Sequence, residues 1–191
     1  SRHLCESRFM GQECTTIAIR PESAGDHDDI RQLVAAAFGS PAEAELVDRI
    51  RASPEYIAEM ALVAEVDGDV IGHVMVSNTT LSGGESVRQI CLLSPLAVRP
   101  DRQKVGIGSA LVRAALAVAD ERGEPVVVLE GSPTYYGQFG FEHALAYGIE
   151  IDLPEWAPAE AAQVRRLRSF DPDDATLRGK VIYPKAFDGL E

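Results

Sequence analysis

The sequence predicts a single-domain α/β protein in which one mixed sheet is flanked by helices. Three observations lead to this prediction. The chain has 191 residues, enough for one sizeable core and short for two. Its first half changes between helical and strand-like periodicity. Its second half contains a strand, a long helix and a strand that is apolar throughout, which is typical of parallel pairing under cover on both faces.

The first half of the chain predicts a strand, two helices and a hairpin. Apolar residues recur at helical spacing in two segments, and the run Gly39-Ser40-Pro41 separates them. Asp67-Gly68-Asp69 is a turn sequence, because glycine tolerates a positive φ, so the runs on either side should pair antiparallel. The predicted elements are a strand over residues 15–20, a helix from near Asp28 to Phe38, a helix around Leu46 and Ile50, and hairpin strands over residues 62–64 and 70–76.

The second half predicts a β-α-β unit followed by shorter elements. Pro95 interrupts the first strand, and since proline cannot donate to a ladder, that strand should be bulged or splayed there. We expect residues 77–89, with Gly83-Gly84, and residues 147–162 to be loops. The predicted elements are strands over residues 90–98 and 126–129, a helix over residues 108–122, a short helix or turn over residues 133–139, and strands near residues 141, 163–167 and 180–183.

The charge balance of the chain argues against a nucleic-acid partner. The sequence has 30 acidic and 18 basic residues, a net charge of -12 and a pI near 4.8. Nucleic-acid binding gains most of its affinity from neutralised phosphates, so an acidic chain repels DNA and RNA. The same balance is compatible with a cationic substrate, although it also serves solubility.

Membrane and metal partners are not indicated either. No apolar run approaches the ~20 residues that a membrane helix needs, so we expect a soluble protein with no membrane partner. The cysteines Cys5, Cys14 and Cys91 are odd in number and lack both CxxC spacing and a nearby pair of histidines. We therefore expect a cytoplasmic protein without a metal, in which Cys91 is a small core residue.

Residues 1–14 are expected to be an N-terminal extension, with the functional domain over residues 15–191. This segment has scattered charges and no continuous apolar stretch of the kind that a secretory signal contains. Met10 is a candidate natural start, in which case the preceding residues are upstream or added sequence. The extension is predicted to be either disordered or foreign to the natural chain.

A turn with two glycines joins the strand that ends at Val98 to the helix that follows. Gly106 and Gly108 let the backbone approach a ligand closely, and the free amides of a helix's first turn bind phosphate oxygens. An ordinary turn among solvated charges shows the same pattern. The spacing excludes a P-loop, and Leu111 excludes the dinucleotide fingerprint. Three cations lie beside the turn: Arg99, Arg102 and Lys104.

Two motifs in the right order make the chain resemble the GCN5-related N-acetyltransferase (GNAT) superfamily. The resemblance covers roughly residues 17–188 and is greatest to the YhbS-like bacterial branch. One departure is Ser132, where that branch often has Asp or His. The matching residues are Pro95-Leu96-Ala97-Val98 with Gln103-x-x-Gly106-x-Gly108, then Pro133-x-Tyr135-Tyr136-x-x-Phe139-Gly140-Phe141, and a closing Tyr183-Pro184-x-x-Phe187-Asp188.

The resemblance implies acetyl-CoA as the co-substrate. In the family, the fourth and fifth strands are parallel and splay apart, and the pantetheine arm lies between them. On this chain the resemblance implies main-chain contacts from Leu96, Ala97 and Val98. It implies contacts to the pyrophosphate from the residues of the glycine turn, which are Gln103, Lys104, Val105, Gly106, Ile107, Gly108 and Ser109.

The resemblance also implies a general acid. Acyl transfer to an amine requires a neutral nucleophile, donors for the carbonyl oxygen and a proton for the departing thiolate. Tyr136, four residues before Gly140, matches the family's general-acid tyrosine. A phenol with a pKa of ~10 keeps its proton at neutral pH and can give it to a thiolate beside it. The alternative for Tyr136 is a packing role, and Tyr135 is expected to be core or pocket wall.

The general base stays open at this point. An amine with a pKa of ~10.4 must lose a proton, and Glu65, His73, Glu130 or an ordered water are all candidate acceptors. Glu130 is favoured because it ends the fifth strand beside the cleft. His73 lies on an apolar strand, where a core role is common, and Glu65 flanks a hairpin.

The prediction is therefore an acetyl-CoA-dependent N-acetyltransferase. It moves acetyl directly to a primary amine of a small molecule or a protein, with Tyr136 as acid. The alternative is a non-catalytic domain of the same fold that binds or senses acyl-CoA, which would not need Tyr136. The identity of the acceptor, other acyl groups and a homodimer are left open.

Overall fold

A mixed sheet forms the centre of the structure, a computed structural model that describes the backbone of residues 2–5 and all of residues 16–190. Helices cover both of its faces, and short 3-10 turns link several elements. The helices are α1 (His27–Phe38), α2 (Ala42–Arg51), α3 (Ile107–Glu121) and α4 (Pro133–Tyr136). The strands are β1 (Arg2–Cys5), β2 (Thr16–Pro21), β3 (Ala61–Val66), β4 (Asp69–Gly83), β5 (Ser86–Val98), β6 (Val126–Glu130), β7 (Glu142–His143), β8 (Ile149–Glu150), β9 (Ala162–Arg166) and β10 (Gly179–Ile182).

The strand order across the sheet is β1-β2-β3-β4-β5-β6-β9-β7. β10 pairs antiparallel with the second half of β4, beyond the end of β3, and β8 pairs in parallel with β10. β5 and β6 are parallel. They correspond to the family's fourth and fifth strands, because β1 adds one strand to the count. The predicted parallel pair is thus confirmed.

The predicted irregularity at Pro95 is also present. Val74 on β4 pairs with Leu96, but Val76 pairs with Leu93, so β5 carries one extra residue over this stretch. Two residue steps on β4 therefore oppose three residue steps on β5. This irregularity is a β-bulge, and it bends the strand locally. The bulge lies next to the point at which β5 separates from β6.

Different helices cover the two faces of the sheet. α3 packs on the face that carries Val74, Leu93 and Leu129. Gly72 lets α3 approach the sheet, because a Cβ there would lie 2.9 Å from Leu111 Cδ1. On the opposite face, α1 and α2 pack on Val63, Met75 and Ala97. A third apolar cluster on that face lies under the C-terminal segments and includes Leu81, Leu92, Val128 and Val164.

Most of the predicted elements are confirmed, but two predicted loops contain strands. Residues 77–89 form the long hairpin end of β4 and β5, which closes where Gly83 pairs with Ser86. The serines and threonines of this segment favour a loop in the sequence, but the segment is a strand, and its Leu81 is fully buried. β8 lies within the predicted loop 147–162, where β10 supplies its partner. In both cases one partner strand is β10, which lies far along the chain.

The N-terminal segment lies partly outside the described residues. β1 falls inside the predicted extension and pairs antiparallel with β2 at the edge of the sheet. The predicted boundary at residue 15 and Cys14 fall within residues 6–15, which are outside the described residues. Cys91 is fully buried, as predicted, and burial with nearby Glu124 raises the pKa of its thiol well above the usual range. No helix in the described part of the chain is long and apolar enough to cross a membrane.

Candidate active site

A gap opens between β5 and β6. Among the described residues, the two strands pair only at Cys91 with Val127 and at Leu92 with Val128. β6 continues to Glu130 with β9 on its other edge, and β5 continues to Val98 with β4 on its other edge. The edge of β5 that faces the gap therefore carries main-chain groups without a strand partner. This edge includes the three residues predicted to bind the cofactor through their backbone: Leu96, Ala97 and Val98.

The glycine turn connects β5 to α3. Gly106 is the N-cap of α3 and has a φ of 91°, a left-handed conformation that glycine adopts without strain. Lys104 also has a positive φ, 65°. Gln103 Nε2 donates to the carbonyl of Val98 over 3.0 Å, so its side chain closes the loop on the strand. Of the three neighbouring cations, Arg99 is paired with Asp101 at 2.7 Å.

The first turn of α3 leaves room for a ligand at Gly108. A Cβ on Gly108 would lie 3.0 Å from Tyr135 Oη and 3.6 Å from Val98 Cγ2, so a side chain would fill this space. The free amides of the turn, the absence of a side chain at Gly108 and the open edge of β5 adjoin one another. This arrangement fits a ligand with a phosphate group and an extended arm, as CoA has.

Tyr136 lies at the carboxyl end of β6, beside the gap. Its ring packs on the backbone of Gly131, where a Cβ would lie 2.5 Å from Tyr136 Cε2. The ring also makes edge contacts with Tyr135 at 4.9 Å and with Phe141 at 5.7 Å. Burial, with a smaller effect of Tyr135, raises the pKa of Tyr136 to about 12. Its hydroxyl has no hydrogen-bond partner among residues 16–190, so the proton is free to be donated.

Three side chains fix the turn that carries Tyr136. Ser132 caps α4 by accepting from the backbone amide of Tyr135 at 3.3 Å. The buried Gln163 donates to the carbonyl of Gly131 at 2.8 Å. Arg165 Nε donates to the carbonyl of Phe139 at 2.9 Å. Gln163 and Arg165 both come from β9, so this strand positions the turn that follows β6.

A large cavity lies on the face of the sheet opposite α3. Its volume is about 820 Å³. Leu92 and Ser94 of β5, Glu130 at the end of β6 and Gly131 directly after it line its floor, so the gap between the strands opens into it. The remaining walls come from the end of α1, the start of α2, residues 152–161 and residues 183–190.

Glu130 is the only one of the three predicted side-chain bases that lines this cavity. It accepts a 2.5 Å hydrogen bond from the hydroxyl of Tyr183. Burial and this hydrogen bond raise the pKa of Tyr183 above its usual range, so Tyr183 remains a donor. Glu65 pairs with Arg20 at 3.2 Å on β3, away from the cavity.

His73 belongs to a buried network beneath α1 and α2. Its ring is fully buried, and its Nε2 lies 3.2 Å from Glu22 Oε1. Arg51 Nε donates to the other carboxylate oxygen of Glu22 at 2.8 Å. Burial lowers the pKa of His73. Burial opposes the charge of Glu22, but His73 and Arg51 hold the pKa of Glu22 below its usual range. The network joins β4, α2 and Glu22, which directly follows β2, and it does not line the cavity.

Several residues of the site escaped prediction from the sequence. Gly72, Gly131 and Gln163 act through contacts with residues distant in the chain, and Tyr183 was noted only as part of a terminal motif. For Gly131 alone, the sequence offers an indication of a role in the site, because this glycine directly follows an apolar strand at the predicted cleft. Within the described residues, no group of His, Cys, Asp or Glu side chains is arranged to hold a metal ion.

Comparison with known proteins identifies the family. The family model described as an acetyltransferase (GNAT) domain matches residues 18–144. The uncharacterised N-acetyltransferase YjhQ of Escherichia coli K12 is 32% identical over 156 residues, which cover 82% of this chain and 86% of that protein. The uncharacterised N-acetyltransferase YhbS of the same strain is 35% identical over 173 residues, which cover 88% of this chain and 97% of that protein.

Solved structures agree with this relationship. The crystal structure of E. coli YhbS in complex with CoA superposes with a TM-score of 0.80 at 30% identity, over 95% of this chain and 97% of that one. A GNAT acetyltransferase from Brucella melitensis in complex with acetyl-CoA gives a TM-score of 0.71 at 33% identity, over 90% and 98% of the two chains. The protein is therefore an acyltransferase of the GNAT family. Within that family it lies in the YhbS-like bacterial branch, as the motifs predicted.

Proposed function

We propose that this protein is an acetyl-CoA-dependent N-acetyltransferase that transfers acetyl directly to a primary amine of a small molecule or a protein. The observation that carries the proposal is the gap between β5 and β6, which joins the α3 turn on one face of the sheet to the 820 Å³ cavity on the other. An acyl donor and an acceptor can thus approach from opposite faces, so no covalent enzyme intermediate is required.

The α3 side of the gap suits the acyl donor. Acetyl-CoA supplies an activated thioester together with a pyrophosphate for recognition. The amides from Gly106 to Ser109 would hold the pyrophosphate, and the open edge of Leu96 to Val98 would bind the pantetheine arm. The crystal structures of YhbS with CoA and of the Brucella protein with acetyl-CoA support this assignment, because each superposes on most of this chain.

Tyr136 is proposed as the general acid. Its pKa of about 12 keeps the phenol protonated throughout the physiological range. Its ring is locked by Gly131, Tyr135 and Phe141, which fixes the hydroxyl at the end of β6. A donor held in this way can protonate the departing thiolate without reorganisation. The fixed, unpartnered hydroxyl argues against the alternative of a purely structural tyrosine.

Glu130 is proposed as the group that receives a proton from the acceptor amine. It lies where the gap meets the cavity, and Tyr183 binds only one of its oxygens. The second oxygen is available to the amine, directly or through a water. Tyr183 holds the carboxylate in place through its 2.5 Å hydrogen bond.

A combined assay tests the proposal. Acetyl-CoA binding is measured by calorimetry, and thiol release is measured with a panel of diamines, aminoglycosides, amino acids and lysine peptides. We expect binding in the absence of acceptor and amine-dependent thiol release. Binding without release across the panel would favour an acyl-CoA sensor, and absence of binding would contradict the assignment of the cofactor site.

A further inference from the structure

The charges that line the cavity are all of one sign. Its described lining contains four carboxylates and no lysine, arginine or histidine. Two of the carboxylates are already engaged, since Asp152 pairs with Lys180 at 3.0 Å and Glu130 accepts from Tyr183. The carboxylates of Glu43 and Asp188 have no hydrogen-bond or ion-pair partner within residues 16–190. The cavity therefore retains uncompensated negative charge on walls other than its floor.

Glu43 is the more informative of these two residues. It lies in the first turn of α2, and its Oε2 is buried without a hydrogen-bond partner among the described residues. A buried carboxylate oxygen without a donor loses its hydration and gains nothing in return. Glu43 also lines the cavity, so a cation bound there would compensate the charge of its carboxylate. Glu130 reaches the same cavity from β6, so two separate carboxylates face one bound molecule.

The remaining surface of the cavity is largely apolar. Leu92, Leu153 and Phe187 contribute aliphatic and aromatic walls. Trp156 lies at the rim with 84% of its surface exposed, and an indole face attracts cations. The volume of about 820 Å³ lies within the range of pockets that enclose whole small molecules, and it exceeds the space that one lysine side chain fills.

We propose that the acceptor is a small-molecule diamine with an apolar spacer, whose reacting amine lies beside Glu130 while its second cationic group binds Glu43. This inference rests on the proposed function, of which it specifies the substrate class. The second ammonium would compensate the charge of the Glu43 carboxylate, and the spacer would contact the apolar walls between the two carboxylates.

Binding can be measured without turnover, because Trp156 is the only tryptophan in the sequence. Its fluorescence is followed during titration with unbranched diaminoalkanes of increasing length and with the matching monoamines, in the absence of acetyl-CoA. We expect diamines of one preferred length range to change the emission and to bind about ten-fold more tightly than the matching monoamines. Trp156→Phe should abolish the signal and so verify its source.

A matched pair of variants tests whether Glu43 binds the second cationic group of the diamine. Glu43→Gln removes the cavity carboxylate, and Glu45→Gln removes an exposed carboxylate from the same first turn of α2. We expect Glu43→Gln to reduce the preference for diamine over monoamine about ten-fold, both in fluorescence and in kcat/KM. Glu45→Gln should keep that preference, because it changes net charge and helix dipole but not the cavity. Melting temperatures of both variants establish that they are folded.

The outcomes separate this inference from the proposed function. Acetylation of monoamines and diamines with equal efficiency, or a preference that survives Glu43→Gln, would overturn the inference and leave the acetyltransferase intact. Diamine binding that depends on Glu43 without any thiol release would support the cavity assignment and contradict catalysis. Lysine peptides acetylated in preference to every diamine would overturn the small-molecule class.

Discussion

The cofactor side of the site is built from residues close together in the chain, whereas the cavity on the other face is assembled from distant segments. The turn at α3 and the edge of β5 lie within residues 94–109, and Tyr136 follows shortly after β6. All of them fall inside residues 18–144, which the family model matches. Most of the cavity wall comes from residues 152–190, beyond that match.

This difference separates the part of the site that the family model covers from the part that lies beyond it. A phosphate-binding turn needs a fixed backbone, so its glycine spacing is visible in the sequence. An acceptor pocket needs a shape and a charge, which many combinations of side chains can supply. We therefore expect substitutions on the α3 side to affect the acyl donor, and substitutions in the cavity to affect the acceptor.

The largest effect is expected at the α3 turn. Gly108→Val should abolish acetyl-CoA binding, because a Cβ there already lies 3.0 Å from Tyr135 Oη and the added methyl groups would fill the remaining space. Ligand at 100 times its Kd stabilises a protein by about 2.7 kcal/mol, so the thermal shift of the unmodified protein provides a clear reference.

Gly25→Ala is the matched control, because a Cβ there meets nothing within 4 Å. It should keep the full thermal shift. A folded Gly108→Val protein whose melting temperature still rises with acetyl-CoA would remove the turn from the cofactor site. Gly108→Ala combined with Tyr135→Phe sharpens the test, since removing the hydroxyl should restore part of the binding that Gly108→Ala loses.

The next largest effect is expected at Tyr136. Tyr136→Phe removes the hydroxyl and keeps the ring packed on Gly131, so kcat should fall by ~10²-fold while acetyl-CoA affinity stays the same. Burial raises the pKa of Tyr136 to about 12, and an acid is active only while protonated. The rate should therefore not fall through deprotonation of Tyr136 below about pH 11.

Tyr147→Phe is the control for Tyr136→Phe, because it removes a hydroxyl that donates to Glu142 at 2.6 Å outside the site. Rates are compared under saturating acetyl-CoA across the pH range. Full activity of Tyr136→Phe would make Tyr136 a packing residue. An alkaline fall near pH 10 that is absent from the mutant would contradict the raised pKa.

The sequence was a good guide wherever the determining contacts are local. The helical stripes of α1, α2 and α3, the Asp67-Gly68-Asp69 turn and the Pro95 bulge all follow from neighbouring residues. The second half of β4 was missed, because its polar residues become a strand only when β5 and β10 pair with it. Pairing over long sequence separations leaves little trace in local composition.

In the site, too, the features that depend on neighbouring residues were predictable and those that depend on distant residues were not. The spacing of Gly106 and Gly108 marked the α3 turn, and the Tyr136 motif marked the turn after β6. The support for that second turn was not visible, because Gln163 reaches Gly131 from a strand that is 32 residues away. The pairing of Tyr183 with Glu130 spans 53 residues. The sequence favoured Glu130 as the base over Glu65, His73 and an ordered water, and of these three side chains only Glu130 lines the cavity.

A smaller effect is expected at Glu130. Glu130→Gln removes the base but keeps an oxygen that can accept from Tyr183, so the fold of the cavity should be preserved. The rate at neutral pH should fall about 10-fold, less than the usual range for a base because water can partly replace it. The deficit should shrink as the pH approaches ~10, where the amine loses its proton unaided.

Glu65→Gln is the comparison for Glu130→Gln. It removes another of the predicted bases, whose carboxylate pairs with Arg20 away from the cavity, so its pH–rate profile should match that of the unmodified protein. A neutral-pH deficit in Glu65→Gln, with none in Glu130→Gln, would reverse the assignment of the base.

The smallest effect is expected at the rim of the cavity. Asp188 is exposed and has no ion-pair partner among the described residues, so Asp188→Asn should raise KM for a cationic acceptor only about 2-fold and leave the KM for acetyl-CoA unchanged. Solvent screens an exposed carboxylate, and the Debye length falls from about 10 Å at 0.1 M salt to about 3 Å at 1 M. The difference between Asp188→Asn and the unmodified protein should therefore disappear at high salt, whereas the effect of Glu43→Gln should persist because Glu43 Oε2 is buried.

Glu155→Gln is the control for Asp188→Asn, since it removes an exposed charge next to Trp156 that does not line the cavity. If Asp188→Asn and Glu155→Gln raise KM equally, general surface charge attracts the acceptor, and the rim of the cavity has no specific role.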